Sequence, residues 1–473
     1  MKIIHLSAEC YPVAKVGGLS DVVGALPKYQ NKIGHESQVI MPFYKNEFTE
    51  KYAFSSIYEG TLSLGDHILD YSILKLKKNK LGFKIFFVDI PDLLHTDFIY
   101  SSEDTERFLA FQIAVLDWML TLETYPDIVH CHDHHTGLVP FMLQECYRYE
   151  SFRTIPCVMT IHNAQYQGWF SHDKVNLIPE FDFQNVGLLD WDGVINPLAA
   201  GIKCAWRVNT VSPSYMEELK TNANGLEQLL QAESDKCIGI LNGIDSAVWN
   251  PKIDTFIPVN YDVRSVDSGK SNNKNYLCKT FNLDPNKPLF AFIGRLVNEK
   301  GVDVLFETFK QCLEKENLNI LLLGSGNHAV EQELNMLKKK YEGVYNTYIG
   351  YNEKLSHIVY AGADFLLMPS RVEPCGLNQM YALKYGTVPI VRCIGGLKDT
   401  ITDISKSNGF GICHSDLTPQ AISNAVGRAI TLYEDKVKYK KIKKQIMKID
   451  YSWESSANTY INFYNAISKL EQV

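Results

Sequence analysis

Three basic residues stand close to glycines in patterns that suit anion binding. Lys15 precedes the pair Gly17–Gly18 in KVGGLSDVVGALPK, and Arg295 and Lys300 lie five residues apart in GRLVNEKG. Glycines let backbone amides approach a ligand, and a helix start adds about half a positive charge. An arginine fork beside a lysine suits a diphosphate. A tight turn with positive φ would also explain the glycines. Surface salt bridging with Glu299 would also explain the pair Arg295 and Lys300.

A further segment of this kind is SRVEPCGLNQMYALKYG, residues 370–386. Glu373 precedes a proline there, and Cys375, Gly376 and Leu377 open a predicted helix whose amides would face an anion. Capping of that helix is the alternative role for Glu373. A nucleophilic thiol would need an activating base, and no histidine or aspartate stands near Cys375 in the sequence. We therefore expect this cysteine to contribute its backbone.

The segment HCHDHHTG, residues 130–137, resembles a metal site because it holds four histidines and one aspartate. Its spacing straddles a strand end and no second cluster of ligands is evident, so we expect no metal. We interpret Asp133 as an acceptor for a sugar hydroxyl. His162 and Asn163 follow another strand in IHNAQYQG. His162 would donate to a sugar hydroxyl or offer its backbone carbonyl, and a satisfied core histidine is the alternative.

Short apolar runs alternate with helical patterns in both halves of the chain, and the residues above fall just after the runs. In the first half the predicted strands are 3–8, 37–43, 127–132, 157–162 and 207–212, the helices are 19–33, 104–122 and 136–149, and hairpins cover 53–90. In the second half the strands are 288–294, 318–324, 345–350, 363–370 and 387–392, and the helices are 301–315, 328–341, 353–361, 377–385 and 417–433. This alternation predicts two mostly parallel sheets covered on both faces, which bind ligands at the carboxyl ends of their strands.

The polar segment 252–275 is rich in Ser, Asn and Lys and shows no apolar period, so it predicts a loop or linker. We place the domain boundary close to 245–255. The predicted domains are an N-terminal domain over 1–250, a second domain over 251–455 and a C-terminal helix over 456–473. The basic run at 436–448 is interpreted as the solvated face of a C-terminal helix.

Length and composition set the remaining bounds. A chain of 473 residues favours two domains of roughly 200 residues each. A net charge of −7 gives no case for nucleic acid or acidic lipid as a partner. Eleven cysteines without a C-x-x-C pair predict mostly buried thiols in a reducing compartment. The chain opens on a strand pattern, which leaves no room for a signal peptide, and its longest apolar stretch is shorter than the roughly 20 residues of a membrane helix. We expect a cytoplasmic protein.

The ordered set of motifs resembles one family. SAECYPVAKVGGLSDVVGALPK, HDHHTG, IHNAQYQG, NTVSPSYMEEL, LNGIDSAVWNP, GRLVNEKG, PSRVEPCGLNQ and KYGTVPIVRCIGGLKDT look like those of the bacterial glycogen synthases and plant starch synthases, which are retaining glycosyltransferases of family 5. The resemblance covers roughly residues 1–460. It implies an α/β chain with the GT-B fold, in which two Rossmann-like, doubly wound domains face each other across a cleft and a C-terminal helix packs back on the first domain.

The resemblance also implies an activity, namely transfer of glucose from ADP-glucose to the non-reducing end of an α-1,4-glucan, with UDP-glucose or another acceptor as the alternative. No metal and no other cofactor are expected, since basic side chains would stabilise the departing diphosphate. The catalytic residues implied are Lys15, His162, Arg295, Lys300 and Glu373. The donor and substrate contacts implied are Glu9, Gly17, Gly18, Asp21, Asp133, Asn163, Tyr351 (by stacking on the base), Cys375, Gly376 and Leu377.

Four positions depart from the family pattern. Val16 and Asn378 stand where threonine is usual, His134 replaces a tryptophan, and Tyr381 occupies the place of a second glutamate found in a related family. The family reaction is a front-face displacement, in which the leaving phosphate takes the proton of the acceptor. Closure about the 245–255 hinge would then assemble the site and expel water.

Three other functions fit a chain of this shape. They are a GT-B transferase with a different donor or acceptor, a silent glucan-binding protein, and a glucan phosphorylase. A silent protein should have lost Lys15, Arg295, Lys300 or Glu373, and none is lost. A phosphorylase would need a lysine site for pyridoxal phosphate, and no motif supplies one.

Overall fold

A computed structural model of the chain describes residues 1–468. Its internal contacts divide the chain into two compact units. The first is Met1–Leu241 together with the C-terminal segment that starts at Trp453, and the second is Asn242–Ser452. The last five residues of the predicted C-terminal helix, 469–473, lie outside the described residues.

The first unit is built on a nine-stranded sheet with a small two-stranded sheet beside it. The strands are β1 (Lys2–Leu6), β2 (Glu36–Pro42), β3 (Phe54–Leu64), β4 (His67–Leu76), β5 (Lys84–Asp89), β6 (Ile128–His132), β7 (Cys157–Ile161), β8 (Asp190–Trp191), β9 (Val194–Ile195), β10 (Arg207–Thr210) and β11 (Cys237–Gly239). The helices are α1 (Gly18–Lys32), α2 (Glu47–Lys51), α3 (Pro91–Leu94), α4 (Thr105–Met119), α5 (Val139–Glu145), α6 (Pro197–Cys204), α7 (Pro213–Leu219) and α8 (Glu227–Ala232).

The order of strands across the large sheet is β11-β10-β7-β6-β1-β2-β5-β4-β3. Neighbouring strands are parallel except in the pairs β3–β4 and β4–β5, which confirms the hairpins predicted over 53–90. The chain leaves β1 towards β2 on one side and later returns to β6 on the other side. The carboxyl ends of β1 and β6 therefore form the switch point at which doubly wound sheets bind their ligands.

The second unit is built on a six-stranded, wholly parallel sheet in the order β14-β13-β12-β15-β16-β17. Its strands are β12 (Leu289–Leu296), β13 (Asn319–Gly326), β14 (Tyr345–Ile349), β15 (Phe365–Met368), β16 (Val388–Arg392) and β17 (Ile412–His414). Its helices are α9 (Val266–Phe281), α10 (Leu305–Lys315), α11 (His328–Lys340), α12 (Glu353–Gly362), α13 (Asn378–Lys384), α14 (Gly395–Thr400), α15 (Pro419–Glu434) and α16 (Lys436–Ile446). Here the switch point lies between β12 and β15.

Helices cover both faces of each sheet, so the central strands are buried on both faces rather than on alternate residues. All five residues of β6 and of β7 are buried, as are all four of β15. The last helix, α17 (Trp453–Ser468), packs on α1 of the first unit. There Trp453, Tyr460 and Tyr464 are buried in one cluster with Val22 and Leu26. The predicted fold class, including the C-terminal helix on the first domain, is confirmed.

The linker predicted at 252–275 is wrong over its second half, because α9 begins at Val266. Three polar residues of this helix, Lys270, Asn273 and Lys274, are buried, and partners satisfy them. The Lys270 ammonium donates to the carbonyls of Tyr360, Ala361 and Tyr385 and, at 2.7 Å, to the hydroxyl of Thr387. Because buried donors of this kind look like solvent-facing residues in a sequence, the apolar period was hidden.

Two smaller predictions also need correction. The helix predicted over 136–149 ends at Glu145, where Cys146 turns extended and a 3₁₀ segment, Tyr147–Phe152, follows. Arg295 was predicted on a loop, but β12 continues to Leu296 and pairs Arg295 with Ser325 of β13.

All eleven cysteines are free and nine of them are buried. Across residues 1–468, no helix has the length and apolar character required to cross a membrane.

Candidate active site

The loop after β1 leads into the glycine pair at the start of α1. Gly17 caps the helix with a φ of −133°, and Gly18 is its first residue. A Cβ atom built on either glycine would meet no other atom within 4 Å. The alternative of a turn with positive φ is therefore wrong, and neither glycine is required by the packing of the described chain. The space beside them is open to a ligand.

Glu9 stabilises the loop between β1 and α1 through hydrogen bonds to its backbone. Its buried carboxylate accepts hydrogen bonds from the amides of Val16 and Gly17, at 2.6 and 3.0 Å, and from the hydroxyl of Tyr100. These two amides thus face a carboxylate of the chain itself rather than an incoming anion, which corrects the sequence-based expectation. The geometry makes Glu9 a support of the loop.

Lys15 lies at the surface beside Asp21, which is in the first turn of α1. The ammonium sits 2.6 and 2.8 Å from the two carboxylate oxygens, and the two side chains are 47% and 30% exposed. An ion pair this exposed contributes roughly 0–1 kcal/mol. The Lys15 ammonium is therefore held near the open glycines at little cost, and an anionic ligand can compete for it.

Asp133 ties together the ends of β6 and β7. Its backbone adopts a φ of +58°, and its buried Oδ1 accepts from the amides of His162 at 2.7 Å and Asn163 at 3.4 Å. Burial raises the pKa of this carboxyl to about 7. A non-glycine residue in this region is strained, and such strain is concentrated at functional sites. The structure therefore brings together Asp133, His162 and Asn163, as the sequence predicted.

The side chain of His162 turns inward to a row of histidines that sequence reasoning missed. Its Nε2 lies 3.0 Å from Nδ1 of His132, whose Nε2 lies 3.0 Å from Nδ1 of His5. The alignment of β1 with β6, which pairs His5 with His130, is what brings these histidines together. In the described part of the chain, His5, His130 and His132 form a group with metal-ligand spacing. His130 already bonds the hydroxyls of Tyr464 and Thr160 with its two nitrogens.

This row predicts a loss of stability in mild acid. Burial lowers the pKa of His5 to about 4 and of His162 to about 3, and it holds the pKa of His130 and His132 well below the usual 6.5. The unfolded chain therefore binds more protons below pH 6.5, and each neutral histidine costs about 1.4 kcal/mol per pH unit. The raised pKa of Asp133 acts in the opposite direction and offsets about one histidine.

We expect these five groups to lower the free energy of unfolding by about 3–4 kcal/mol between pH 7.5 and 5.5, and the loss is larger still because burial also lowers the pKa of His134 and His135. Urea unfolding at the two pH values measures this difference. His328 is 81% exposed at its side chain, so a His328→Gln variant should show the same loss. A stability that stayed level over this range would contradict the neutral histidine row.

In the second unit, Lys300 pairs with Glu373 rather than with Glu299. Its ammonium lies 2.7 and 2.6 Å from the two carboxylate oxygens, and Ser370 donates to the same carboxylate at 2.8 Å. The Glu373 side chain is 7% exposed and that of Lys300 is 26% exposed. Helix capping by Glu373 is excluded too, because the cap of α13 is Leu377. The structure thus places a cation and an acid together after β12 and β15.

Two further residues of the predicted site lie at the same edge of this sheet. Arg295 is exposed near the carboxyl end of β12. Tyr351 is 84% exposed just after β14, at the approach to α12. An exposed aromatic ring at a carboxyl edge suits stacking on a flat ligand.

The segment between β15 and α13 is shaped by its backbone. Gly376 has a φ of +73°, and a Cβ there would lie 2.5 Å from Oε1 of Gln379. Burial raises the pKa of the Cys375 thiol to about 12, so the thiol is protonated at neutral pH and unsuited to nucleophilic attack. Asn378 donates to the carbonyl of Ile293 at 2.8 Å, which fastens the start of α13 to β12.

Comparison with known proteins finds matches to both halves of the chain. A family model described as the starch synthase catalytic domain matches residues 2–232, and a model for glycosyl transferases group 1 matches residues 277–446. The chain is 50% identical over 470 residues to a glycogen synthase of Flavobacterium johnsoniae, with 99% of each chain covered. It is 38% identical over 483 residues to a glycogen synthase of Acholeplasma laidlawii, again with 99% of each covered.

Solved structures give the same result. The catalytic domain of starch synthase IV from Arabidopsis thaliana, bound to ADP and acarbose, superposes with a TM-score of 0.87 at 30% identity and covers 98% of this chain and 99% of its own. A sucrose-phosphate synthase of Thermosynechococcus elongatus superposes with a TM-score of 0.63 at 16% identity, which shows the shared fold alone.

Proposed function

The chain belongs to the glycogen and starch synthase family of glycosyltransferases, and from that premise we propose that it extends an α-1,4-glucan by transfer of glucose to the non-reducing end. It is a hexosyltransferase. The observation that carries the proposal is the open space at Gly17 and Gly18 beside the Lys15 ammonium, at the switch point of the first sheet. Because Glu9 accepts from the amides of Val16 and Gly17, the exposed Lys15 ammonium is the group beside this space that a phosphorylated ligand can bind.

The proposed donor is ADP-glucose. The starch synthase IV structure is one with ADP bound, and this chain shares its fold at 30% identity over nearly all of its length. UDP-glucose is the second candidate, because Asn378 replaces the threonine usual after the E-P-C-G-L segment and lies at the predicted donor site.

In the proposed reaction, the bond from the anomeric carbon to the diphosphate oxygen breaks while the bond to the acceptor 4-hydroxyl oxygen forms on the same face. The acceptor proton passes to the departing phosphate. Both carboxylates that might have attacked from the far face are engaged: Glu373 binds Lys300 and Ser370, and Asp133 binds two backbone amides. This favours displacement without a glycosyl-enzyme intermediate.

The protein's own groups then do two kinds of work. Lys15, Arg295 and Lys300 stabilise the charge that grows on the leaving diphosphate, which a divalent cation does in many other transferases. Asp133, His162 and Glu373 orient the glucosyl unit.

We place the enzyme in the cytoplasm, in keeping with eleven free cysteines.

A panel of nucleotide-glucose donors with glycogen as acceptor tests the proposal. We expect release of ADP from ADP-glucose, dependent on added glycogen, at a kcat/KM well above that for UDP-glucose. The reverse preference would replace the donor, and release without glycogen would replace the acceptor. No release from any donor, by protein with an intact thermal transition, would overturn the function.

Gly18→Ala is expected to separate binding from folding. A methyl group here meets no atom of the described chain and sits in the first turn of a helix, so the melting temperature should hold or rise slightly. The methyl group fills space that the donor is proposed to use. If overpacking costs about 1–3 kcal/mol of donor binding, the donor KM rises roughly five- to 150-fold. Gly187, which also has no atom within 4 Å of a built Cβ, supplies the matched control variant Gly187→Ala. An unchanged KM in Gly18→Ala would remove the glycines from the site.

A further inference from the structure

A continuous row of hydrogen bonds connects His162 to Gln30 through the interior of the first unit. Nε2 of His162 meets Nδ1 of His132 at 3.0 Å, Nε2 of His132 meets Nδ1 of His5 at 3.0 Å, and Nε2 of His5 meets Oε1 of Gln30 at 2.9 Å. His5, His132 and Gln30 have no exposed surface, and His162 is 9% exposed. We call these four residues the histidine row.

Each histidine of the row carries a single ring N–H proton at neutral pH. Burial keeps the pKa of the three imidazoles far below neutrality, so all three are uncharged at neutral pH. A neutral imidazole donates from one nitrogen and accepts at the other. A fixed acceptor at one end therefore sets the direction of every bond that follows.

The direction is set by the amide of Gln30. Its Oε1 also accepts from the hydroxyl of Ser37 at 2.7 Å, and its Nε2 donates to the hydroxyl oxygen of Tyr464 at 3.3 Å. With the oxygen turned to His5, that imidazole must donate from Nε2 and accept at Nδ1. His132 then donates from Nε2 in turn.

A second branch of hydrogen bonds, through Tyr464 and His130, has the donor directions that this orientation of the Gln30 amide requires. Because Tyr464 receives a hydrogen bond from Gln30, its own proton is free to go to Nδ1 of His130 at 2.7 Å. His130 then donates to Oγ1 of Thr160, and Thr160 donates to Oδ1 of Asn209 at 2.7 Å. A turned Gln30 would have to reverse both branches at once, so the two branches stabilise one orientation together.

We propose that Gln30, His5 and His132 are positioning residues that fix the tautomer of His162, with the proton on Nε2 and a lone pair on Nδ1. Among residues 1–468, none forms a hydrogen bond with this Nδ1. His162 then accepts a hydrogen bond from a substrate hydroxyl and cannot donate one, which reverses one of the roles expected from the sequence. The link to the substrate rests on the proposed function, whereas the tautomer itself does not.

Nitrogen-15 NMR of the full-length protein labelled at histidine reads the tautomer directly and without substrate. We expect pyrrole-type Nε2 and pyridine-type Nδ1 signals for His5, His132 and His162 at pH 7.5, assigned by single His→Gln variants. A pyrrole-type Nδ1 signal for His162 would overturn the inference. Because no donor is present, this result is independent of whether the proposed transfer occurs.

A matched pair of variants tests the role of the buried amide. Gln30→Met keeps the length of the side chain and removes the group that sets the direction, so His162 should show both tautomers. Because only one tautomer can accept the substrate hydroxyl, we expect kcat to fall in proportion to the lost population of that tautomer, about twofold if both are equally populated, with glucan KM little changed. Gln30→Glu retains an acceptor facing His5 and should restore the single tautomer and most of kcat.

The control is Gln112→Met. Gln112 is also buried, donates to the carbonyl of Phe108 and accepts from the amide of Leu138, and has no contact with the histidine row. It should lower the melting temperature by a similar amount and leave kcat and the tautomers unchanged. Wild-type tautomers in Gln30→Met, or an equal loss of kcat in Gln112→Met, would overturn the positioning role.

Discussion

Lys300→Ala is expected to lower kcat about 10²- to 10³-fold, the loss seen when one charged or hydrogen-bonding group is removed from a developing anion. The ammonium is 26% exposed and is held by Glu373 and by the turn between β12 and α10. It is accordingly near the surface that a donor reaches and fixed in direction. Steady-state rates at saturating ADP-glucose measure the effect, and a thermal transition shows that the fold is kept.

Lys310→Ala is the matched control for this prediction. Lys310 is a lysine of the same unit that forms an ion pair with Glu307, at side-chain exposures of 38% and 46%. Its loss should change neither kcat nor KM. Turnover near the wild-type level in Lys300→Ala would remove this residue from the phosphate site, whatever the donor.

Glu373→Ala is expected to cost about 10²-fold in kcat and also about 1–3 kcal/mol of stability. The stability loss arises because Lys300 and Ser370 both lose a charged partner at a site only 7% exposed. The kinetic loss arises because the acid is proposed to orient the glucosyl unit. Urea unfolding and steady-state kinetics on the same preparation give the two numbers separately.

A double-mutant cycle then shows whether Glu373 acts alone. If its only task were to hold Lys300, Glu373→Ala would cost nothing further once Lys300 is alanine. We expect the double variant to be slower than Lys300→Ala by at least tenfold, because the glucosyl contact is a separate loss. Equal rates would reduce Glu373 to a support of the lysine. Glu373→Gln, which keeps an acceptor for Ser370, should recover the stability and little of the rate.

Much of this architecture could be predicted because buried parallel strands are apolar throughout. Runs such as those of β13 and β15 can be read in the sequence without any partner, and so can the glycines and cations that follow strands. The switch-point rule then groups the residues after β1 and β6, and those after β12 and β15. In this way the sequence alone predicts that Lys15, Asp133, Lys300 and Glu373 lie near the two switch points.

What could not be predicted depends on pairing between distant residues. Lys300 and Glu373 are 73 positions apart, and nothing in the sequence distinguishes Glu373 from Glu299 as the partner. The histidine row joins β1, β6, α1 and the loop after β7, so each histidine taken alone looks like an ordinary core or site residue. The inward-facing Lys270 looks like a solvent-facing lysine. In each case a polar side chain is buried because of its partner, and the partner is distant in the sequence.

The placement of α17 bears on how the protein is made. Tyr464 forms hydrogen bonds with Gln30 and His130, and Tyr460 forms one with Asn209. The last helix therefore supplies hydrogen-bond partners to buried residues of α1, β6 and β10. During synthesis the first 241 residues leave the ribosome long before α17 exists, while all of 242–452 precedes it. The unit synthesised second can therefore finish folding first. The unit synthesised first waits until α17 has been made, and a nascent chain halted before Trp453 keeps an unfilled core for quality control to recognise.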